Sequence, residues 1–595
     1  MKMNKKRYFI LLVVPLIILP VAFLGRYHIY DFCYDLYQGI TRNNSYSTFI
    51  SYNDDYVDSF KESIETDDGA DDFIKNNVES EHPSESKKKI EITSKSSFFN
   101  QVDVSRGGEV NVVYEIKSEF DLQGQTIRIP TDCELLFDGG CLKNGVLLGS
   151  ETSINSKKGV IFKNIKIEGS WVVEHIYSSW FEDIHDVNAL KKLIALSSDK
   201  THNDIYVEKG DYFVAAEHNG DEILQLKSQT NAFIDGIIYL EPNEFDDYQV
   251  IRVESKQRVR ISGTGSIIGD RYQHLSALGE SGHGIVIRRS SDIMVSGLTI
   301  KDFWGDGIAI GGLTGSACEK ILIEKCNIRN SRRNGISIVH ANDFEINKCA
   351  FYGNEGTSPE RAIDIEPNRH CFCTNGIIQN NEIVGKYGIS TALEGMDGNF
   401  IKNLVIKGNT LNCSAGGYTT PYGRAITLLG DPENVTVDSN IIQEGGLSAG
   451  SSLASKNIVL TNNTINGKLS IGHIRCENNE INSIAIQCSN SVFLNNEVSS
   501  NSYYGSGNGE TALVANTSIV KNNTFYLSGD KYSFDCPITS RRDSEIENNT
   551  INISEETTVR YLVRVVSGSK TIIRNNKPNR ELKVLDYGIG TIIEK

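Results

Sequence analysis

The sequence predicts an all-β solenoid, a parallel β-helix whose short strands stack turn upon turn, and three observations carry that prediction. First, Asn381, Asn409, Asn440, Asn463, Asn479, Asn496, Asn523 and Asn549 recur 16 to 31 residues apart, each three residues after an apolar residue, as in Ile378-x-x-Asn381-x-Ile383 and Ile546-x-x-Asn549-x-Ile551. A motif that returns at about one coil length is the signature of a repeat architecture. Asn suits the bend, because it tolerates the left-handed backbone region and its amide can bond to the Asn of the next turn; Leu298, Cys326 and Cys349 continue the column toward the N-terminus. Second, pairs of a small residue and Ile recur in step: His283-Gly-Ile-Val-Ile287, Asp306-Gly-Ile-Ala-Ile310, Asn334-Gly-Ile-Ser-Ile338, Arg361-Ala-Ile-Asp-Ile365, Tyr387-Gly-Ile-Ser-Thr391 and Arg424-Ala-Ile-Thr-Leu428. Third, the 595 residues hold 52 Gly and only 11 Pro, a composition suited to many short, punctuated strands. A quasi-one-dimensional core lets so long a chain form one body.

The elements follow in order. Residues 1–25 read as a targeting or anchoring segment: Lys2, Lys5, Lys6 and Arg7 precede an apolar run over residues 8–24 with no A-x-A-like cleavage site after it. About 17 residues lie near the lower limit for spanning a bilayer, so an uncleaved membrane anchor is the first expectation and a cleaved signal, leaving a periplasmic or secreted protein, the second. Either exports the rest of the chain. Residues 26–100 are polar and charged and read as a linker with little core. From 101 to 180, short alternating runs at Gly124–Pro130, Glu134–Gly139 and Gly159–Gly169 predict opening solenoid turns. Asp186 then caps a predicted helix over Val187–Ser198, whose Leu190, Leu193, Ile194 and Leu196 form one apolar stripe. The main β-helix is placed at 181–595.

Acidic residues outnumber basic ones, 76 to 60, for a formal charge of −16. That argues against nucleic acid, which needs a basic surface, and leaves room for a polysaccharide held by a local basic strip. Most of the 12 cysteines sit at strand or bend positions. Cys326 and Cys349 are stacked closely enough for a disulfide, although buried thiols filling a ladder explain them as well. Cys371-x-Cys373 lacks a second Cys or His pair spaced for zinc, and no metal site is expected.

The second column holds the candidate chemistry. With its Ile residues inward, alternation turns their neighbours outward: Gly284, Gly307, Ala309, Gly335, Ser337, Ala362, Gly388 and Ser390 form a floor of small residues, with Asp364 and Glu366 as the large exceptions. At the strand starts stand His283, Asp306, Arg332, Arg333, Arg361, Lys386, Tyr387 and Arg424. Asp364 and Glu366, two apart on one strand, would lie about 6.5–7 Å apart, and Asp306, two turns away, about 9–10 Å from Asp364. Inverting glycoside hydrolysis needs carboxyls about 6.5–9.5 Å apart, one donating a proton and one activating water. Asp306, Asp364, Glu366 and His283 are therefore the catalytic candidates. Arg332, Arg333, Arg361, Lys386, Tyr387 and Arg424 are the candidates for binding substrate, with Arg suited to bidentate contact with acidic sugars.

The helix followed by Ile205-Tyr-Val-Glu-Lys-Gly-Asp-Tyr212 resembles the start of pectate-lyase-like and phage-tailspike-like right-handed β-helix proteins. Trp304-Gly-Asp-Gly-Ile308, Arg332-Arg-Asn-Gly-Ile-Ser-Ile338 and Ala362-Ile-Asp-Ile-Glu-Pro-Asn368 resemble the right-handed parallel β-helix proteins of polysaccharide-degrading gut bacteria, grouped with the pectate lyase superfamily and near the polygalacturonase-type glycoside hydrolases. The resemblance spans roughly residues 180–595 and implies a right-handed coil, a helix shielding its open end, and a carbohydrate substrate. Gly282-His-Gly284 precedes Asp306, the reverse of the polygalacturonase order. A glycoside hydrolase is the leading expectation. A uronate-directed lyase or C5-epimerase working through Arg333, Lys386, Tyr387 or His283 is the alternative, with Ca²⁺ as its only expected cofactor, held by Asp364 and Glu366. A glycan-binding or structural solenoid without catalysis is the third. Homotrimer assembly, which some β-helices adopt, is compatible with all three.

Overall fold

The computed structural model describes residues 87–594 except 313–314, 394–397, 414–424, 451–455, 484–485, 501–510, 530–532 and 567–569. The apolar run at 8–24, most of the expected linker and Arg424 lie outside the described residues. No helix among the described residues is long and apolar enough to cross a membrane.

Regular structure begins before residue 101. Strand Lys88–Ile92 pairs in parallel with Val112–Ile116, which pairs with Glu134–Phe137, and helix Phe98–Val102 buries both its terminal apolar residues. Alternation over Ile90 and Ile92, and a single helical turn, are too short to stand out against a charged background. The long strand Cys141–Ser156 joins two small sheets, pairing with Glu134–Phe137 along one stretch and with Phe162–Trp171 along another.

From Asn203 onward each coil contributes one strand to each of three parallel sheets. Among the described residues the first runs in fifteen strands from Asp211–Val214 to Lys577–Pro578, and the second in fifteen from Asp221–Gln225 to Lys583–Asp586. The third continues from Thr230–Ile234 to Ile592–Glu594 and reaches back through Asn203–Val207 to His175–Tyr177. Ile and Val dominate the interior because strands buried on a stacked, pleated surface favour β-branched side chains. This is a right-handed parallel β-helix.

The expected capping helix is present but shorter, Ala189–Ala195. Asp186 works one turn earlier than a cap: its Oδ1 accepts the Asn188 backbone N–H at 3.0 Å and its Oδ2 pairs with Lys192 at 2.5 Å. Leu190 and Leu193 close the first coil over Ile205, Val207, Leu224 and Leu226. Leu193→Ala is expected to lower stability by about 2–5 kcal/mol through loss of this lid contact, read as an earlier first transition on denaturant unfolding.

The Asn column runs through the corner between third and first sheets. Each amide both accepts and donates: Asn409 Oδ1 takes the backbone N–H and Nδ2 of Asn381 at 3.0 and 2.9 Å, while Asn409 Nδ2 reaches Asn440 Oδ1 at 2.9 Å. The ladder continues to Asn576. One detail differs from expectation. The left-handed residue is the one before each ladder Asn (Asn380, Gly408, Ser439, Asn462, Asn478, Asn495, Asn522, Asn548), with φ between 51° and 62°. Bending and bonding are thus divided between neighbours, the exposed residue supplying the bend and the buried one the amide. A second ladder, unsuspected from the sequence, links Asn342, Asn375, Asn403, Asn434 and Asn457 on the outer face of the third sheet. Cys326 and Cys349 are free, buried thiols.

Candidate functional site

The corner between first and second sheets places the site. Between third and first sheets the chain turns on two residues, such as Asn380 and Asn381. Between first and second it runs through residues 241–246, 269–280, 302–307, 330–335 and 353–360, whereas at 385–386, 445–446 and 467–468 it turns on two residues. Long loops on a rigid scaffold are where binding groups concentrate. These border the second-sheet strands Asp247–Glu254, Ser281–Arg288, Ile308–Ile310, Ile336–Ile338 and Arg361–Ile365.

On the last three of those strands and the next two, Tyr387–Thr391 and Ile426–Leu428, Ala309, Ser337, Asp364, Ser390 and Thr427 follow one another in register, and Ser448 and Ser470 extend the row. At about 4.8 Å per step this is one row across successive coils, polar from Ser337 onward. The glycines expected beside it are elsewhere. A Cβ on Gly284 would meet the Phe303 ring, on Gly307 Ile328, on Gly335 Phe351, and on Gly388 Leu411. These positions turn inward at the corner, where neighbouring backbones approach too closely for a side chain; Ala362 and Ala425 are buried in the same column. Strict alternation fails at this corner, just before the strands at Gly307, Gly335 and Ala425 and within their first residues at Gly284, Ala362 and Gly388.

Asp306 is not a free acid or base. It is 1% exposed. Its Oδ1 accepts from Arg333 Nη1 at 3.2 Å and the Asn334 backbone N–H at 3.0 Å, and its Oδ2 from Arg333 Nη1 at 3.0 Å and Ser337 Oγ at 2.8 Å. The Asp306 carboxylate, a catalytic candidate by sequence, thus ties Arg333, Asn334 and Ser337 together. Ser337 is in register with Asp364, so Asp306 reaches to within one strand of Asp364 instead of two turns. Burial works against the Arg333 charge, but Asp306 and Asp364 outweigh it and raise its pKa.

His283 Nδ1 accepts the Asp306 backbone N–H at 3.0 Å. Burial pushes its pKa down despite Asp306 nearby, so the ring is neutral and carries its proton on Nε2.

Asp364 is 4% exposed and accepts Ser390 Oγ at 2.5 Å. Burial raises its pKa above 3.8; the Ser390 hydrogen bond, Arg361 and Arg333 oppose this only in part. A carboxyl that holds its proton more tightly folded than unfolded costs nothing below the unfolded pKa, and lowers stability as pH rises beyond it. Asp364→Asn, which keeps an acceptor for Ser390, is therefore expected to raise the thermal midpoint at pH 7 and to leave it unchanged near pH 3. Glu366 follows the strand end, half-buried and engaged with its surroundings.

The cations divide by role. Arg332 lies over the Trp304 ring at 3.6 Å and donates to Gly279 O at 2.9 Å, and Lys386 pairs with Glu360 at 2.5 Å. Both of these candidates for binding substrate also hold loops. Arg333 Nε lies 3.5 Å from Glu280 but is misaligned for a hydrogen bond. Arg361 lies over Tyr387 at 4.3 Å, and its buried Nε makes no hydrogen bond. Asn334, Glu280 and Glu360 are not singled out by the sequence, and Ser390 is placed on the floor but without its bond to Asp364. The signal for them is the one-turn offset itself, since Glu360 and Lys386 are 26 residues apart and Asp306 and Arg333 27.

Ca²⁺ does not fit Asp364 and Glu366: the Asp364 carboxyl is flanked by two guanidinium groups and favours its proton, whereas a hard cation needs several ionised or carbonyl oxygens. Among the described residues no group of three His, Cys, Asp or Glu side chains is arranged to hold a metal ion.

No family model matches the chain. The uncharacterized protein YclG of Bacillus subtilis (strain 168) is 28% identical over 325 residues, covering 46% of this chain and 55% of that protein. The chain thus spans about half the length of the curated relative it matches. Among solved structures, the A-module of mannuronan C-5 epimerase AlgE6 from Azotobacter vinelandii is similar over 70% of this chain and 99% of its own, at 13% identity and a TM-score of 0.33. A variant tailspike protein of E. coli bacteriophage HK620, in complex with a pentasaccharide, is similar over 70% of this chain and 80% of its own, at 16% identity and a TM-score of 0.41. By its own sheet pairing the chain is a parallel β-helix protein.

Proposed function

We propose that the protein acts on a polysaccharide laid along the second sheet, as a glycoside hydrolase with Asp364 as general acid. One observation carries the reading: a buried carboxyl of raised pKa stands in a polar stripe, in the coils where long loops border that sheet. A stripe of repeated steps suits a linear polymer better than a compact ligand. Asp364 would protonate the glycosidic oxygen, and Glu366, two residues on, would activate water; a raised pKa suits the donor role. Asp306 and Arg333 hold the stripe in place, and Arg361 offers a guanidinium to the substrate.

A second reading has its own support. Arg361 and Lys386 both face the Tyr387 ring, at 4.3 and 5.6 Å, which gathers the cations that could neutralise a uronate carboxylate in a β-elimination. A digestion screen on a broad glycan panel, recording reducing ends and ultraviolet absorbance together, separates the two. New reducing ends without absorbance, lost in Asp364→Asn, support hydrolysis. Absorbance gain lost in Tyr387→Phe replaces it with a lyase. Glycan binding that leaves every glycan intact overturns both.

A further inference from the structure

The loop over residues 269–280 is built inside out. Its polar side chains are the anchors. Asp270, 1% exposed, accepts the Tyr248 hydroxyl at 2.5 Å and both the backbone and side-chain N–H of Asn243 at 3.2 and 3.0 Å. His274 Nδ1 meets the same carboxyl at 2.8 Å, and the ring stacks on Trp304 at 4.2 Å. Arg271 donates to Asn330 O at 2.8 Å and Glu355 O at 2.7 Å. Its large apolar side chains point the other way: Tyr272, Leu275 and Leu278 are each 70% exposed.

A slack loop could turn such groups outward by default, but this one is fastened along its length. Trp304 Nε1 donates to Leu278 O and Arg332 Nη1 to Gly279 O, each at 2.9 Å. The fastening residues are also site residues by position, since Trp304 stands two residues before Asp306 and Arg332 one before Arg333. The C-terminal end of the loop reaches the site, since Glu280 lies 3.5 Å from Arg333, which pairs with Asp306 at 3.0 Å. A held, exposed apolar patch marks a contact surface. Two leucines gain nothing from bare hydroxyls, which would lose water without finding a hydrogen bond.

We infer that this loop is a substrate-contacting wall that selects glycans carrying apolar substituents, such as the methyl of an acetyl group or of a 6-deoxy sugar. The inference rests on the glycan reading above. Tyr272 offers a ring to a sugar face, and Leu275 and Leu278 receive the methyl groups.

The test compares the full chain with its Tyr272→Ser, Leu275→Ser, Leu278→Ser triple variant on acetylated glycans and on the same glycans stripped of acetyl by mild alkali, together with 6-deoxy glycans and their hydroxylated counterparts. All three side chains are exposed, so the thermal midpoint is expected to hold. The wild type is expected to favour substituted over bare glycan by about tenfold or more in kcat/KM, the worth of a methyl in an apolar contact, and the variant to bring that ratio close to one. A wild type active on glycans without this preference, or a variant that keeps it, overturns the inference and leaves the function standing. A variant whose only change is in self-association, seen by light scattering, also overturns it, making the patch a contact between copies. Inactivity of the wild type on every glycan removes the function, and the inference with it.

Discussion

Asp364→Asn is expected to lower kcat by about 10²- to 10⁴-fold, the usual contribution of a general acid, with little change in KM. The amide is close in size and still accepts the Ser390 hydroxyl, which donates to Asp364 Oδ1, but it has no proton of suitable acidity to give. The same variant is predicted above to be more stable at pH 7. Gain of stability with loss of turnover separates a catalytic carboxyl from a structural one, because a structural carboxyl would lose both. Asp306→Asn should behave in the opposite sense. It leaves Arg333 partly buried with its ion pair broken and so lowers stability, by about 3–5 kcal/mol if the pair behaves as other buried pairs do. Turnover and thermal midpoint measured on both variants from pH 4 to 8 make the comparison. A stable, fully active Asp364→Asn would remove Asp364 from the mechanism.

Asn463→Ala is expected to be among the most destabilising single changes in the β-helix. Asn463 Oδ1 accepts the backbone N–H and Nδ2 of Asn440 at 2.9 and 3.0 Å, and its Nδ2 donates to Val437 O and Asn479 Oδ1, each at 2.9 Å. Truncation leaves buried donors and acceptors unmet on both adjacent coils. At about 1–3 kcal/mol for each group stranded, the loss should exceed about 3 kcal/mol. Asn482→Ala, which removes an exposed bond to Asn466, should cost no more than about 0.5 kcal/mol. Denaturant unfolding of the two variants reads the difference. In a stacked array each coil depends on its neighbours, so Asn463→Ala is also expected to split the transition. Equal effects from the two would show that burial of the ladder contributes nothing.

The architecture could be read because it is periodic. The interval from one Asn to the next and the Ile pairs of the second column each require a coil that returns to the same place, and only a stacked solenoid satisfies both. The cap was legible for a related reason: Leu190 and Leu193 share a helical face where the β pattern is interrupted. The site was legible in position but not in role. Asp306, Asp364, Arg333 and Arg361 do gather along one side of successive coils, as their common place at or near the strand starts implies. That Asp306 is committed to Arg333, Asn334 and Ser337 while Asp364 keeps a raised pKa depends on burial and on partners about one coil away. Arg332 and Lys386 read as substrate-binding cations in the sequence, which gives no sign that they hold Gly279 and Glu360.

The sequence by itself determined the coil, because strand alternation and side-chain ladders are local rules repeated at each turn. Only the tertiary structure decided which way the corner glycines face, which carboxyl has its hydrogen-bonding capacity filled, and that the 269–280 loop holds its polar groups in and its apolar groups out. Each of those depends on the length of the insertion at a corner, which sets what stacks on what, and on burial, which sets where a charge or proton is stable. Neither is a property of any one segment of the chain.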